Sequence, residues 1–214
     1  MQENVEAMPP TYRPFIDDPE HLASLEGQRF VVLRPTGLIL DSYAEFQDLM
    51  KTRFPGWQIS YPSHAHVTLG GFPKGTPVSS IQALASEWAA ETPPLRLEVE
   101  CAAIFPSPFQ IVIVQIRRTA DLLSALLRLR GLARKRGIQA IETIPAADWI
   151  FHMSVAYCSS LTASDWGEVS NLVENTKIGA AQCLVEDVEI VAVDEGHEYA
   201  PGSVRLAARA SNPD

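Results

Sequence analysis

The chain has no run of eighteen apolar residues, and no basic, apolar, small-residue leader opens it. The sequence therefore predicts neither a membrane span nor a signal peptide, and points to a cytoplasmic protein with no membrane partner. Cysteine is scarce. Cys101, Cys158 and Cys183 are odd in number, unrelated in spacing and include no C-x-x-C pair, which argues against a disulfide framework or a zinc knuckle and assigns them as reduced core residues. Basic charge is short as well: 17 Lys and Arg face 26 Asp and Glu, for a net charge of −9. A groove that tracks the phosphates of a long nucleic acid is not expected on such a surface, whereas a small phosphorylated ligand is compatible with it. Only five histidines occur, so their placement carries information.

What is present is enough to build a core. With 46% hydrophobic residues in 214, the chain can bury one large domain or two small lobes. Residues 1–26 carry Pro9, Pro10, Pro14 and Pro19 among polar and acidic residues, the pattern of an irregular N-terminal arm. Residues 27–210 read as a single bilobal domain and residues 211–214 as a tail. Strands are expected over Gln28 to Arg34, Leu95 to Phe105, Gln110 to Arg117, Cys183 to Val193 and Ser203 to Ala208. Helices are expected from a Ser42/Glu45 capping box to Arg53, over Val78 to Glu91, over Ala120 to Arg136 and from Thr162 onward.

Two further segments, Ile59 to Leu69 and Trp149 to Tyr157, are rich in β-branched and aromatic residues and read as strands. The first contains His64-Ala65-His66-Val67-Thr68 and the second His152-Met153-Ser154. Residues i and i+2 of a strand share a face, so His66 points with Thr68 and His152 with Ser154. An imidazole plus a hydroxyl is thus presented twice, 86 positions apart. At the same offset Val99–Ile104 overlies Val185–Ile190 and Thr76 overlies Thr162. Each half then runs strand, helix, motif strand, helix, strand. The fold class that follows is α+β, with two pseudo-twofold-related lobes, each a mainly antiparallel sheet with outer helices, facing each other across a central cleft.

On these motifs the chain resembles the two-histidine (2H) phosphoesterases, a family of RNA 2′,3′-cyclic phosphodiesterases and bacterial 2′-5′ RNA ligase-like proteins. The likeness spans about residues 28–208 and includes the Phe105-Pro106-Ser107-Pro108 turn before a buried strand. It implies a catalytic set of His66, Thr68, His152 and Ser154, without a metal or other cofactor. The chemistry agrees with the residue types: two imidazoles supply an acid and a base near neutrality, and two hydroxyls donate to oxygens on which charge develops. The expected activity is hydrolysis of a 2′,3′-cyclic phosphate or a short 2′-5′ or 3′-5′ linked nucleotide. RNA-end processing or 2′-5′ ligation and a non-catalytic nucleotide-binding domain are the alternatives. The expected partner is a small phosphorylated nucleotide or short RNA end, bound by a monomer.

Three more residues are candidates for substrate binding. Tyr157 matches the family's second motif, yet it lies five residues from His152, so a regular strand would turn its ring away unless a bulge intervenes near Ala156. His64 should share the face of His66, as a rim residue or as half of a metal site that lacks a third ligand in its strand. Arg34, at the end of the first strand, is either a phosphate ligand or a plain surface residue. The cluster Arg128, Arg130, Arg134, Lys135 and Arg136 reads as the solvated end of its helix, with an RNA-facing patch the other reading.

Overall fold

Alternation of buried and exposed side chains organises the chain into two antiparallel sheets. The computed structural model describes residues 13–14, 23–141 and 144–208; Pro9, Pro10, Pro19, His21 and the tail lie outside them. In chain order the elements are β1 (Arg13–Pro14), β2 (Arg29–Leu33), α1 (Leu38–Arg53), β3 (Val67–Phe72), α2 (Val78–Ala89), β4 (Leu95–Phe105), β5 (Ile111–Ile116), α3 (Ala120–Lys135), a 3₁₀ turn (Ala146–Asp148), β6 (His152–Tyr157), α4 (Ala163–Asn175), β7 (Gln182–Val185), β8 (Asp187–Asp194) and β9 (His197–Arg205). One sheet has the order β1-β9-β8-β2-β3 and the other β6-β5-β4-β7. The strands that carry the two motifs, β3 and β6, are therefore edge strands, and they approach one another. The lobes are stitched there by an isolated bridge in which the Ser60 and Tyr157 backbones exchange hydrogen bonds of 3.0 and 2.8 Å.

The pseudo-twofold order predicted from the sequence is present, but the halves exchange elements. α1 follows β2 of the first sheet yet packs on β6 and β7 of the second, and α3 follows β5 of the second sheet yet packs on β3 of the first. The last strand of each half crosses in the same way, β4 into the second sheet and β8 into the first. α2 backs β8 and β9 and also packs on α3, while α4 backs β4. Trp88 of α2 joins the two helices behind the first sheet: it is fully buried and its indole N–H donates to the Ala125 carbonyl at 2.9 Å.

Several boundaries differ from the sequence reading for local reasons. α1 starts at Leu38, because Gly37 at φ +57° turns the chain into the helix without any side-chain cap. Ser42 and Glu45 consequently sit inside the helix. Its buried face is Ile39, Tyr43, Phe46, Gln47 and Met50, with Leu49 exposed. Thr162 does cap α4, its hydroxyl accepting from the Asp165 N–H at 3.2 Å. The strand expected over Cys183 to Val193 is two, broken at Glu186 as the chain changes sheets. His197 opens β9 after the Glu195-Gly196 turn; of the three cysteines expected in the core only Cys158 is buried, Cys183 being half-buried and Cys101 exposed. Within the arm, Arg13 and Pro14 pair with Glu198 and His197 on the open edge of β9.

Truncating Trp88 to alanine should cost about 3–5 kcal/mol by loss of a fully buried ring and its hydrogen bond. Urea denaturation gives the value, and a loss under about 1 kcal/mol would mean that α2 and α3 are held by other contacts.

Candidate functional site

The first motif strand is shorter than its sequence suggests, with a bend at Ser63 and His64 and ladder pairing only from Val67. The face assignment still holds. From His64 to Leu69 the burial alternates, with Ala65, Val67 and Leu69 buried and His64, His66 and Thr68 partly open. In the second motif strand Phe151, Met153 and Val155 are buried, and His152 and Ser154 are partly open. The core-facing residues anchor each strand, and the polar ones lie on its other, more open face.

Both motif strands carry a bulge, at the same place. In β6 the pairing with β5 steps from Ser154 opposite Ile113 to Ala156 opposite Val112, leaving Val155 unmatched. In β3 it steps from Thr68 opposite Val32 to Gly70 opposite Val31, leaving Leu69 unmatched. Leu69 and Val155 stand 86 positions apart, the spacing of the motifs. An extra residue resets the side-chain period, which answers the parity objection to Tyr157: Val155 and Ala156 are both buried, and Tyr157 returns to the face of Ser154. The Tyr157 and Ser154 side chains are hydrogen-bonded, and burial raises the phenol above its ordinary titration range. In the first half the corresponding position is Gly71, so the tyrosine has no counterpart.

Two residues that the sequence reading did not single out hold this geometry. The Tyr43 hydroxyl donates to the Ser154 carbonyl at 2.9 Å. The Gln47 amide donates to the Val155 carbonyl at 3.1 Å and to the Pro62 carbonyl at 2.9 Å. A buried carbonyl left unmatched costs about 1–3 kcal/mol, so the polar stripe on α1 supports the β6 bulge and the approach to the first motif together. The available signal was a glutamine on the otherwise apolar buried face of an amphipathic helix, one turn after a tyrosine.

Electrostatically, the two imidazoles feel each other. Burial is the main cause that pushes His66 down to about 3, with Arg34, His152 and His64 adding in that order. His152 is also lowered by burial, partly opposed by its hydrogen bond to the Ile150 carbonyl. The His152 Nδ1 lies 2.8 Å from that oxygen. An Nδ1–H donated there leaves Nε2 as the working nitrogen of the neutral ring. The Phe105 ring meets His152 edge-on, with centroids 4.8 Å apart. His64 reaches His66 electrostatically, but among the described residues no group of three His, Cys, Asp or Glu side chains is gathered to hold a metal.

Arg34 is engaged within the protein. Its guanidinium is ion-paired with Glu189 and with the buried Glu198, and it donates to the Ala65 carbonyl at 3.3 Å. It thus braces the backbone just before His66. A polar cavity of about 330 Å³ beside it is lined by Thr36, Glu186, Asp187, Glu189 and Ser203 among others. A separate apolar cavity of about 350 Å³ is lined by Phe105, Phe109, Ile111, Ile144, Trp149, Ile150 and His152. The basic cluster on α3 is largely committed: Arg128 pairs with Glu91 at 2.9 Å, Arg136 donates to Glu87 at 2.8 Å, and Arg130 is buried against Trp149.

The fold has structural relatives despite low identity. A protein of Thermus thermophilus, TT0787, superposes with a TM-score of 0.62 at 16% identity, covering 86% of this chain and 100% of that one. Escherichia coli LigT complexed with phosphate gives a TM-score of 0.56 at 15% identity, covering 85% and 98%. The same protein complexed with 3′-AMP gives 0.57 at 16%, covering 85% and 99%. Comparison with curated proteins finds no match. The family model described as the 2′-5′ RNA ligase superfamily matches residues 40–197, a span containing both motif strands, and the chain belongs to that superfamily.

Proposed function

We propose that the chain is a metal-independent phosphodiesterase that hydrolyses a 2′,3′-cyclic phosphate or a short 2′-5′ or 3′-5′ linked nucleotide, with His66 and His152 as its acid and base. The observation that supports this reading is the approach of two bulged edge strands whose histidines, His66 and His152, are near enough to interact electrostatically. In the reaction one imidazole takes a proton from water as its oxygen attacks phosphorus. The other gives a proton to the departing ribose oxygen. Thr68 and Ser154 donate to the non-bridging oxygens, where charge accumulates. The hydrogen bond between the Ser154 and Tyr157 hydroxyls uses one of their two protons and leaves the pair one to donate to the phosphate. The phosphate and 3′-AMP held by the LigT structures support a ligand of this class. The acidic lining of the cavity beside Arg34 disfavours a long RNA end and so favours hydrolysis of a small diester over ligation.

His66→Ala and His152→Ala should each lower kcat roughly 10²–10⁴-fold, with the double variant little worse than either single one if the pair works as a unit. Thr68→Val and Ser154→Ala should cost less, as each removes one of several donors. Steady-state kinetics on a cyclic-nucleotide panel reads these effects. A folded, fully active His152→Ala protein would end the paired-histidine mechanism.

Protonation gives an independent check that needs no turnover. Both imidazoles are held neutral at neutral pH in the free protein, and an anion beside either ring favours its charged form. Sulfate, fully ionised over the working range, should therefore bind with uptake of protons. Its affinity should rise as pH falls from about 8 to about 6, since the complex binds more protons than the free protein. Calorimetry in buffers of different ionisation enthalpy measures the uptake; an affinity independent of pH would contradict it.

Turnover should survive EDTA, because the proposed acid, base and donors are all side chains. Activity lost to the chelator and restored by a divalent ion would reassign His64 and His66 as metal ligands.

A further inference from the structure

The two motif strands hang on their neighbours by matching backbone bonds, and one bond of the set differs. On β6 the pairing puts Ile113 opposite Ser154, Val114 opposite Met153 and Gln115 opposite His152. The next bond holds the residue before the histidine: the Ile116 N–H donates to the Phe151 carbonyl at 2.8 Å. On β3 the register is Val32 opposite Thr68 and Leu33 opposite Val67, and its continuation brings Arg34 to His66 and Pro35 to Ala65. Ala65 is the counterpart of Phe151, 86 positions before it. Pro35 is thus the counterpart of Ile116, and a proline has no N–H to give. The carbonyl of the buried Ala65 is met by the Arg34 guanidinium instead, at 3.3 Å. In the second half the residue in the place of Arg34 is Gln115, whose amide is turned to Glu100 at 2.9 Å. There the backbone already makes the bond.

We propose that Arg34 is a positioning residue for His66, its guanidinium replacing the ladder bond that Pro35 cannot make, and that Glu198 and Glu189 hold the guanidinium in that place. The proposal rests on the phosphodiesterase reading for the role of His66. The Ala65 carbonyl and the His66 nitrogen belong to one planar peptide, so a donor on that oxygen fixes the plane from which the imidazole departs. A side chain does this only if it is itself held. β8 supplies Glu189 and β9 supplies Glu198, 3% exposed, and both are ion-paired with the same guanidinium. A planar fork of five N–H groups serves three acceptors at once, which an ammonium on a flexible stem does not. The geometry of the first motif is in this way secured from β9, a strand far from it in sequence.

The test asks whether a backbone N–H restored at position 35 takes over from the side chain. With 2′,3′-cyclic AMP as probe and the full chain as enzyme, Arg34→Met should lower kcat roughly 10–10²-fold with KM little changed. Pro35→Ala alone should leave kcat within about twofold. Added to Arg34→Met it should recover most of the loss, because the alanine N–H can resume the bond to Ala65. A pH titration separates bracing from charge. The groups that act on His66 are Arg34, His152 from β6 and His64 beside it, with Glu189 and Glu198 behind Arg34. Without the guanidinium a positive charge is gone, so His66 should titrate at higher pH in the single and the double variant alike. Pro35→Ala should therefore restore kcat and leave that shift in place, as histidine NMR will read. Glu198→Gln, which weakens the hold on the guanidinium, repeats the test if Arg34→Met does not fold, with a severalfold loss of kcat again recovered by Pro35→Ala. Wild-type kcat in folded Arg34→Met, or a folded double variant no faster than the single one, would overturn the proposal and leave the reaction standing. If the wild-type chain leaves the probe intact, the reaction fails by itself and the Ala65 carbonyl-carbon shift decides the bracing. Movement with Arg34→Met and return with Pro35→Ala upholds it; no return overturns it.

Discussion

The geometry of the cleft depends on one unmatched residue in each motif strand. A strand of strict period two would put His152 and Ser154 on one face and Tyr157 on the other; the bulge at Val155 puts all three together. Such a device needs support, because it frees backbone carbonyls in a place without water to satisfy them. Tyr43 and Gln47 provide it from α1. The helix that supports the second motif belongs in sequence to the first half, so the position of one motif strand is set by the chain that leads into the other.

The surroundings of the two imidazoles make the same point in electrostatic terms. Each is kept neutral chiefly by burial, and His66 is lowered further by the positive charge near it. Arg34 is that charge, yet its own guanidinium is neutralised on the far side by Glu189 and Glu198.

Much of this was legible from residue patterns because the motifs lie on amphipathic strands whose alternation survives without regular pairing, as Ala65, Val67 and Leu69 show. The helix α3 and the strand β4 were read nearly to their ends, since their apolar periodicity is long. The start of α1 was misplaced because Gly37 acts through its backbone angle, and a Ser/Glu pair inside the helix imitates a cap. Arg34 and Arg130 were both read from sequence as surface or ligand-facing cations. Their actual partners, Glu198, Glu189 and Trp149, lie in strands and turns that no local pattern connects to them. The β6 bulge was required by parity at Tyr157 but had no local mark of its own, as Val155 and Ala156 are ordinary strand residues.

The exchange of α1 and α3 between the sheets has a further consequence. Cut between β4 and β5, neither half would retain a helix behind its own motif strand, because each lends that helix to the other. The arrangement is what two copies of a half-length chain would form by swapping arms, joined here into one polypeptide. A true pair of identical halves would be bound by symmetry to present the same residue twice at every position. The covalent joining releases that constraint, and positions 71 and 157 show it, with glycine at one and a phenol at the other. His66 and His152 can thereby occupy environments that are related in shape and unlike in chemistry.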